Sequence, residues 1–238
     1  ETLTYTARQS DGQTGDASLQ ISEMTPVTDG LIAYWPLDAI EADNTIADET
    51  GNGFSMTISG DPSVSDDSVN GSSLLMRDDS MTIPAGVHAL LSDEISISFW
   101  SKRDSSVSLG ETTLFYATDS DGTKLLEIAA PRYNASVWFD LGNASGYDRI
   151  YASLTQADFD DDWSHWVFTK NSTTGEMTIY RNGLAIATST TAIRTFDTEF
   201  ANFSFGSRVN GSRDYPGWID DVRIHNRVLG TEEIATLY

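Results

Sequence analysis

Short runs of apolar and β-branched residues, separated by clusters of Gly, Asn, Asp and Ser, recur along nearly the whole chain. LIAYWPL (31–37), SMTIS (55–59), ISISFWSKR (95–103), SVWFDL (136–141), HWVFTK (165–170), MTIYRNG (177–183) and WIDDVRIHN (218–226) are typical. Such runs fit strands with turns at short intervals, and their density predicts an all-β sandwich or jelly roll. Asn182-Gly183 is a strong hairpin signal, because both residues tolerate positive φ, and Asp121-Gly122 reads as a second hairpin turn. Only two segments suggest helix. Ala85–Leu91 could form one turn, and Gly230–Tyr238 has Thr231 as N-cap with Glu232 and Glu233 in the first turn. The strand–helix–strand rhythm of a doubly wound nucleotide fold is missing.

At the start of the chain, LTYTARQ and ASLQISE flank SDGQTGD and predict a hairpin. Pro26 and the polar residues after it set this hairpin off from the rest. Residues 1–25 are therefore read as the terminal hairpin of an upstream repeat, and residues 30–238 as one large sandwich.

Composition narrows the function. The chain has 238 residues, no Cys, and a formal charge of −22. Without Cys there is no disulfide scaffold, zinc finger or thiol nucleophile. The acidity repels nucleic acid and anionic membrane, and it favours oxygen-liganded divalent cations, calcium above all. No run approaches the ~18 apolar residues of a membrane span, and the opening ETLTYTARQ has neither a basic start nor an apolar core of a signal peptide. The chain reads as a piece of something longer.

Several motifs, in order, resemble the laminin-G-like jelly roll of the concanavalin A-like lectin/glucanase superfamily. They are GLIAYWPLD with IADETGNG, SISFWSKRD, WSHWVFTKNSTTGEMTIYRNG and GWIDDVRIHNRVLGTEEI, spanning Gly30 to Tyr238. The resemblance implies a sandwich of two antiparallel sheets. It also implies one Ca²⁺ between the 48–53 turn and the closing strand, with Asp48, Asn52 and Asp220 giving side chains and Gly51 a carbonyl. The alternative for Asp48 is an ordinary Asx turn. Alternation places Asp220 on a strand face with Val222 and Ile224, where a carboxylate is costly unless a metal or a ring of N–H groups meets it. LTYTARQSDGQTGDASLQI resembles the last hairpin of bacterial cadherin- or Ig-like adhesin repeats.

For a ligand, two segments combine flat rings with bidentate polar groups in expected loops. They supply Tyr147, Asp148 and Arg149, and Arg208, Asn210, Arg213 and Tyr215. Sugars use that mixture: C–H faces stack on rings and hydroxyls bond to Asp, Asn and Arg. Tyr133 and Trp138 could join them, although Trp138, Trp163, Trp166 and Trp218 read mostly as core. The run Asp158, Asp160, Asp161, Asp162 reads as a solvated loop.

Catalytic signatures are missing. There is no Gly-x-Ser-x-Gly and no His-x-x-x-His, and the Glu-x-Asp-x-x-Glu strand of the superfamily's glucanases does not occur. The expectation is a non-catalytic, calcium-binding, lectin-like module of a large extracellular, bacterial adhesin. It would bind cell-surface glycan and sit among neighbouring domains of the same chain. The rivals are an accessory carbohydrate-binding module of a polysaccharide-degrading enzyme, a spacer or protein-binding domain, and a glycosidase or lyase with unusual residues.

Overall fold

The computed structural model describes residues 26–238 apart from 109, 133, 161 and 197–199, and the backbone of two strands before them. Those two, β1 (Thr2–Arg8) and β2 (Thr14–Gln20), pair antiparallel as the expected hairpin.

Two sheets form the main body, as the strand pattern predicts. The first runs β13 (Gly146–Ser153), β12 (Ser136–Asn143), β11 (Lys124–Ala129), β10 (Phe115–Thr118), β17 (Asn202–Phe205), β8 (Ser80–Thr82), β5 (Met56–Ser59) and β4 (Thr45–Ile46). The second runs β16 (Leu184–Ser189), β15 (Glu176–Arg181), β14 (Ser164–Asn171), β9 (Glu94–Arg103), β18 (Gly217–His225), β7 (Ser73–Met76) and β6 (Ser63–Ser65). In it β3 (Leu31–Trp35) pairs with the far half of β18. Every pairing among these named strands is antiparallel.

Alternation sorts the side chains. One face of each strand supplies the core between the sheets, including Phe99, Phe115, Phe139, Phe168 and Phe205. Phe115 meets Phe205 at 4.7 Å between ring centroids, and Phe99 stacks on Phe168 at 5.8 Å. Each such ring contributes about 1.5–3 kcal/mol by leaving water. Asn182 (φ 49°) and Gly183 (φ 76°) make the tight turn between β15 and β16, as their sequence requires.

The sheets differ on their outer sides. A short helix, α1 (Ala85–His88), follows β8, and α2 (Thr231–Leu237) lies against the second sheet. Leu229 and Ile234 pack there on Val167 and Tyr180. The N-cap of α2 is Gly230 rather than Thr231, and Glu233 accepts the Gly230 N–H at 2.8 Å.

The closing strand departs from simple alternation. Asp221 has φ 56°, and the pairing of β18 with β9 slips between Asp220 and Arg223. This bulge inserts one residue and reverses the phase. Ile219, Val222 and Ile224 all enter the core, while Asp220 leaves it for the outer side. Asp220 therefore does not share a face with Val222 and Ile224, because the period-2 rule fails at an extra residue. Asp221 joins it on the outer side, accepting the Tyr34 hydroxyl at 2.6 Å beside Arg223.

Candidate functional site

The outer face of the first sheet carries a polar row, one residue per strand. Direct cross-strand partners run Arg149, Asp140, Glu127, Tyr116, Ser204, Thr82, Thr57 and Thr45. At the β12–β13 end stands an aromatic platform. Trp138 lies opposite Tyr151, with ring centroids 5.8 Å apart, and Tyr151 is 59% exposed. The guanidinium carbons of Arg132 and Arg149 lie over the Trp138 ring, 4.4 and 4.1 Å from its centroid, so the open ring of the pair is Tyr151. At the other end a cleft of about 320 Å³ is lined by Ser59, Thr82, Asn202 and Ser204 among others.

The carboxylates of this row are ion-paired. Asp140 is bound bidentately by Arg149 at 2.6 and 2.7 Å and also by Lys124. Glu127 accepts Arg208 at 2.6 and 3.1 Å and Lys124 at 3.3 Å. Burial alone would raise the Glu127 carboxyl; the Arg208 hydrogen bond and the Lys124 and Arg208 charges outweigh it and hold the group below its ordinary range.

Of the ligand residues expected from sequence, Tyr147, Arg149, Arg208 and Arg213 come together here. Lys124 lies 3.7 Å from the Tyr147 ring, and Arg208 4.9 Å from Tyr116. Arg213 pairs with Glu111 and stands 3.5 Å from Glu127. Tyr147–Arg149 is strand rather than loop, so its side chains alternate. Asp148 consequently faces inward, accepting Lys170 Nζ at 3.0 Å and the Arg194 N–H at 2.9 Å. Tyr215 is buried in the core, where no ligand reaches it. Asn210 is exposed in the 208–212 turn and accepts the Ser212 hydroxyl at 2.6 Å. Tyr133 lies outside the described residues.

Among the four tryptophans read as core, only Trp166 is; Trp138, Trp163 and Trp218 are half-buried on outer surfaces. Asp158 and Asp160 are not simply solvated, since they pair with Arg181 and Arg103; Asp161 lies outside the described residues. Glu127, Asp140 and Tyr151 were missed. Their signal was the alternation in LLEIA, VWFDL and YDRIY, which puts Trp138 and Asp140 opposite Phe139 and Leu141.

The residues expected to hold calcium are engaged separately. Asp48 Oδ1 accepts the Tyr34 and Thr50 N–H groups, Oδ2 accepts the Phe54 N–H, and the Thr50 hydroxyl reaches both. This is the Asx-turn alternative, with both carboxylate oxygens occupied. Asn52 donates to the Ile32 carbonyl at 3.0 Å, and Gly51 takes φ 82° in an open turn. Asp220 fits a cation better. Oδ2 accepts the Val69 and Asn70 N–H groups at 2.8 and 3.0 Å, but Oδ1 is buried with no hydrogen-bond partner. Burial, partly opposed by those two N–H groups and reinforced by Asp221 and Asp38, pushes its pKa up to about 6. Among the described residues no three His, Cys, Asp or Glu side chains converge as a ready metal cage.

A two-sheet jelly roll with one sheet face left open is the architecture of lectin-like binding domains. The family model of the concanavalin A-like lectin/glucanases superfamily, of the laminin-G type, matches residues 75–235, and the chain belongs to that family. It is similar in structure to the receptor-binding domain of botulinum neurotoxin mosaic serotype C/D. There the TM-score is 0.67 at 18% identity, covering 88% of this chain and 50% of that one. Domain 4 of AbnA, an extracellular arabinanase from Geobacillus stearothermophilus solved with arabinotriose, gives TM-score 0.63 at 20% identity, covering 87% and 97%. The binding domain of Paraclostridial Mosquitocidal Protein 1 gives 0.65 at 18%, covering 87% and 51%. The chain thus spans about half the length of the toxin domains and nearly all of the arabinanase domain. At these identities the likeness is one of fold. No curated protein sequence matches the chain. Among the described residues no helix is long and apolar enough to cross a membrane.

Proposed function

We propose that this chain is a non-catalytic carbohydrate-binding module of a large extracellular adhesive protein, and that it takes glycan on the open face of the first sheet. The observation that carries the reading is the Trp138–Tyr151 platform at the end of an unbroken polar row. Rings offer stacking surface to sugar C–H groups, and the row offers donors and acceptors to hydroxyls. The non-catalytic part of the reading is supported by Glu127, the carboxylate at the centre of the ion-paired cluster. A glycosidase needs one carboxyl raised as general acid, and Glu127 is held the other way. The test is a glycan array with wild type, Trp138→Ala and Tyr151→Ala. Binding that both variants weaken is expected; uniformly blank spots with folded wild type would favour a spacer domain.

An accessory module of a polysaccharide-degrading enzyme is the second reading, favoured by the 97% coverage of the arabinanase domain. Retention on insoluble arabinan, with none on cell surfaces, would move the conclusion to it.

We propose also that calcium is held at Asp220 and not at the 48–53 turn. What supports this is the partnerless buried Oδ1, with Asp38 and Asp221 adding negative potential around it. Backbone carbonyls and water would complete an oxygen shell. EDTA should lower the melting temperature, Ca²⁺ should restore it, and Asp220→Asn should abolish the response. Melting indifferent to EDTA would overturn the assignment.

A further inference from the structure

The ion-paired cluster on the open face carries a charge opposite in sign to that of the molecule. Eight ion pairs link five cations, Lys124, Arg132, Arg149, Arg208 and Arg213, to three carboxylates, Glu111, Glu127 and Asp140. This ion-paired cluster thus takes in five of the chain's 14 Lys and Arg and three of its 36 Asp and Glu. The two signs also lie at different depths. The side chains of Asp140 and Glu127 are 1% and 2% exposed, whereas those of Arg149, Arg213 and Arg208 are 32%, 25% and 24% exposed. Asp140 and Glu127 form a floor, Glu111 stands at the rim with its side chain 24% exposed, and Arg149, Arg208 and Arg213 are the cations that solvent meets most.

Resting on the carbohydrate reading above, we infer that the ligand of this face is an anionic glycan, one carrying carboxylate or sulfate groups. The buried carboxylates fix the guanidinium groups from below, so little side-chain freedom is lost when an anion arrives. A guanidinium offers five donors, and its planar fork matches carboxylate and sulfate oxygens. Arg132 and Arg149 lie over the Trp138 ring, so a sugar ring stacked on the exposed Tyr151 beside it would bring its acidic substituent toward that guanidinium layer. A neutral glycan would gain the stacking and leave the surplus positive charge unmet. On a chain of −22, such an island also draws an anion away from the repulsive remainder of the surface.

The experiment is calorimetric titration with three oligosaccharides of matched length: oligogalacturonate, a sulfated galactan fragment and its neutral galactan counterpart. At least one acidic probe should bind on the order of tenfold or more tighter than the neutral one. That preference should shrink as NaCl rises. Which acidic probe wins identifies the group recognised. Arg149→Gln should reduce the acidic-to-neutral ratio, and Arg149→Lys, which keeps the charge over Asp140, serves if the first variant misfolds. Tyr151→Ala should weaken all binding. Neutral galactan bound as tightly as the acidic probes, without salt dependence, would overturn the anionic inference and leave carbohydrate binding standing. Binding to none of the three, together with a blank glycan array, would overturn both.

Discussion

Asp148 provides the sharpest separation between a ligand group and a structural one. Lys170 is fully buried between the sheets, and its ammonium donates to the Leu141 carbonyl at 2.9 Å and to Asp148 at 3.0 Å. Burial depresses the Lys170 pKa, and Asp148 works against that shift. Removing one partner of a buried ion pair costs about 3–5 kcal/mol, because the other charge is stranded. Asp148 is 23% exposed, so Asp148→Ala belongs at the lower end, about 3 kcal/mol. With a urea m-value of about 1–3 kcal/mol per M, the unfolding midpoint should fall by about 1 M or more. The double variant Asp148→Asn/Lys170→Met removes both charges and should recover most of the loss. Glycan affinity of the folded fraction should stay near wild type. A variant with an unchanged midpoint and lost glycan binding would refute the reasoning and return Asp148 to the ligand set.

Further outcomes can be read from pH and from the hairpin. Burial lowers His165 to about 3 and His225 to about 4. The unfolded chain takes up these protons first, so stability should fall as pH drops from about 6.5. His165→Gln should flatten that decline in urea titrations at fixed pH values, and an unchanged slope would contradict the assignment. Asp220 has the opposite sign: its raised pKa makes the fold gain stability as pH falls from about 6 to 4, by about 3 kcal/mol for two units. In EDTA, Asp220→Asn should therefore steepen the acid decline. Asp158 and Glu233, both lowered to about 2, by Thr155 and Arg181 and by Arg227 respectively, add stability that is lost only below about pH 4.5. Asn182→Ala should cost about 1–2 kcal/mol in the same unfolding assay, since Asn182 needs positive φ and its Oδ1 accepts the His165 N–H at 2.8 Å; no loss would mean that the turn readjusts.

The sandwich was legible because its cause is local. Alternating side chains and Asn-Gly or Asp-Gly turns dictate strands and hairpins before any tertiary contact forms. The site was legible only in part. Residue type alone picks out Tyr147, Arg149, Arg208 and Arg213 of the candidate face, but it equally picks Asp148, whose segment reads as a loop. Once 146–153 is a strand, Asp148 must face away from Tyr147 and Arg149. Asp220 failed for a different reason. A bulge is a one-residue count mismatch between partner strands, and nothing in WIDDVRI taken alone states it. Glu127 and Asp140 become neighbours only through the β11–β12 register, 13 residues apart in sequence yet directly opposite in the sheet.

Strand β13 ends its sheet, and a terminal strand is open to pairing with a strand from another molecule. A docking chain would have to continue the hydrophobic interior past Asp148 and Lys170, and it would find a carboxylate and an ammonium already locked to one another. That inward charge on the outermost ribbon works against edge-to-edge pairing with a second copy, as inward-pointing charges do at natural sheet edges.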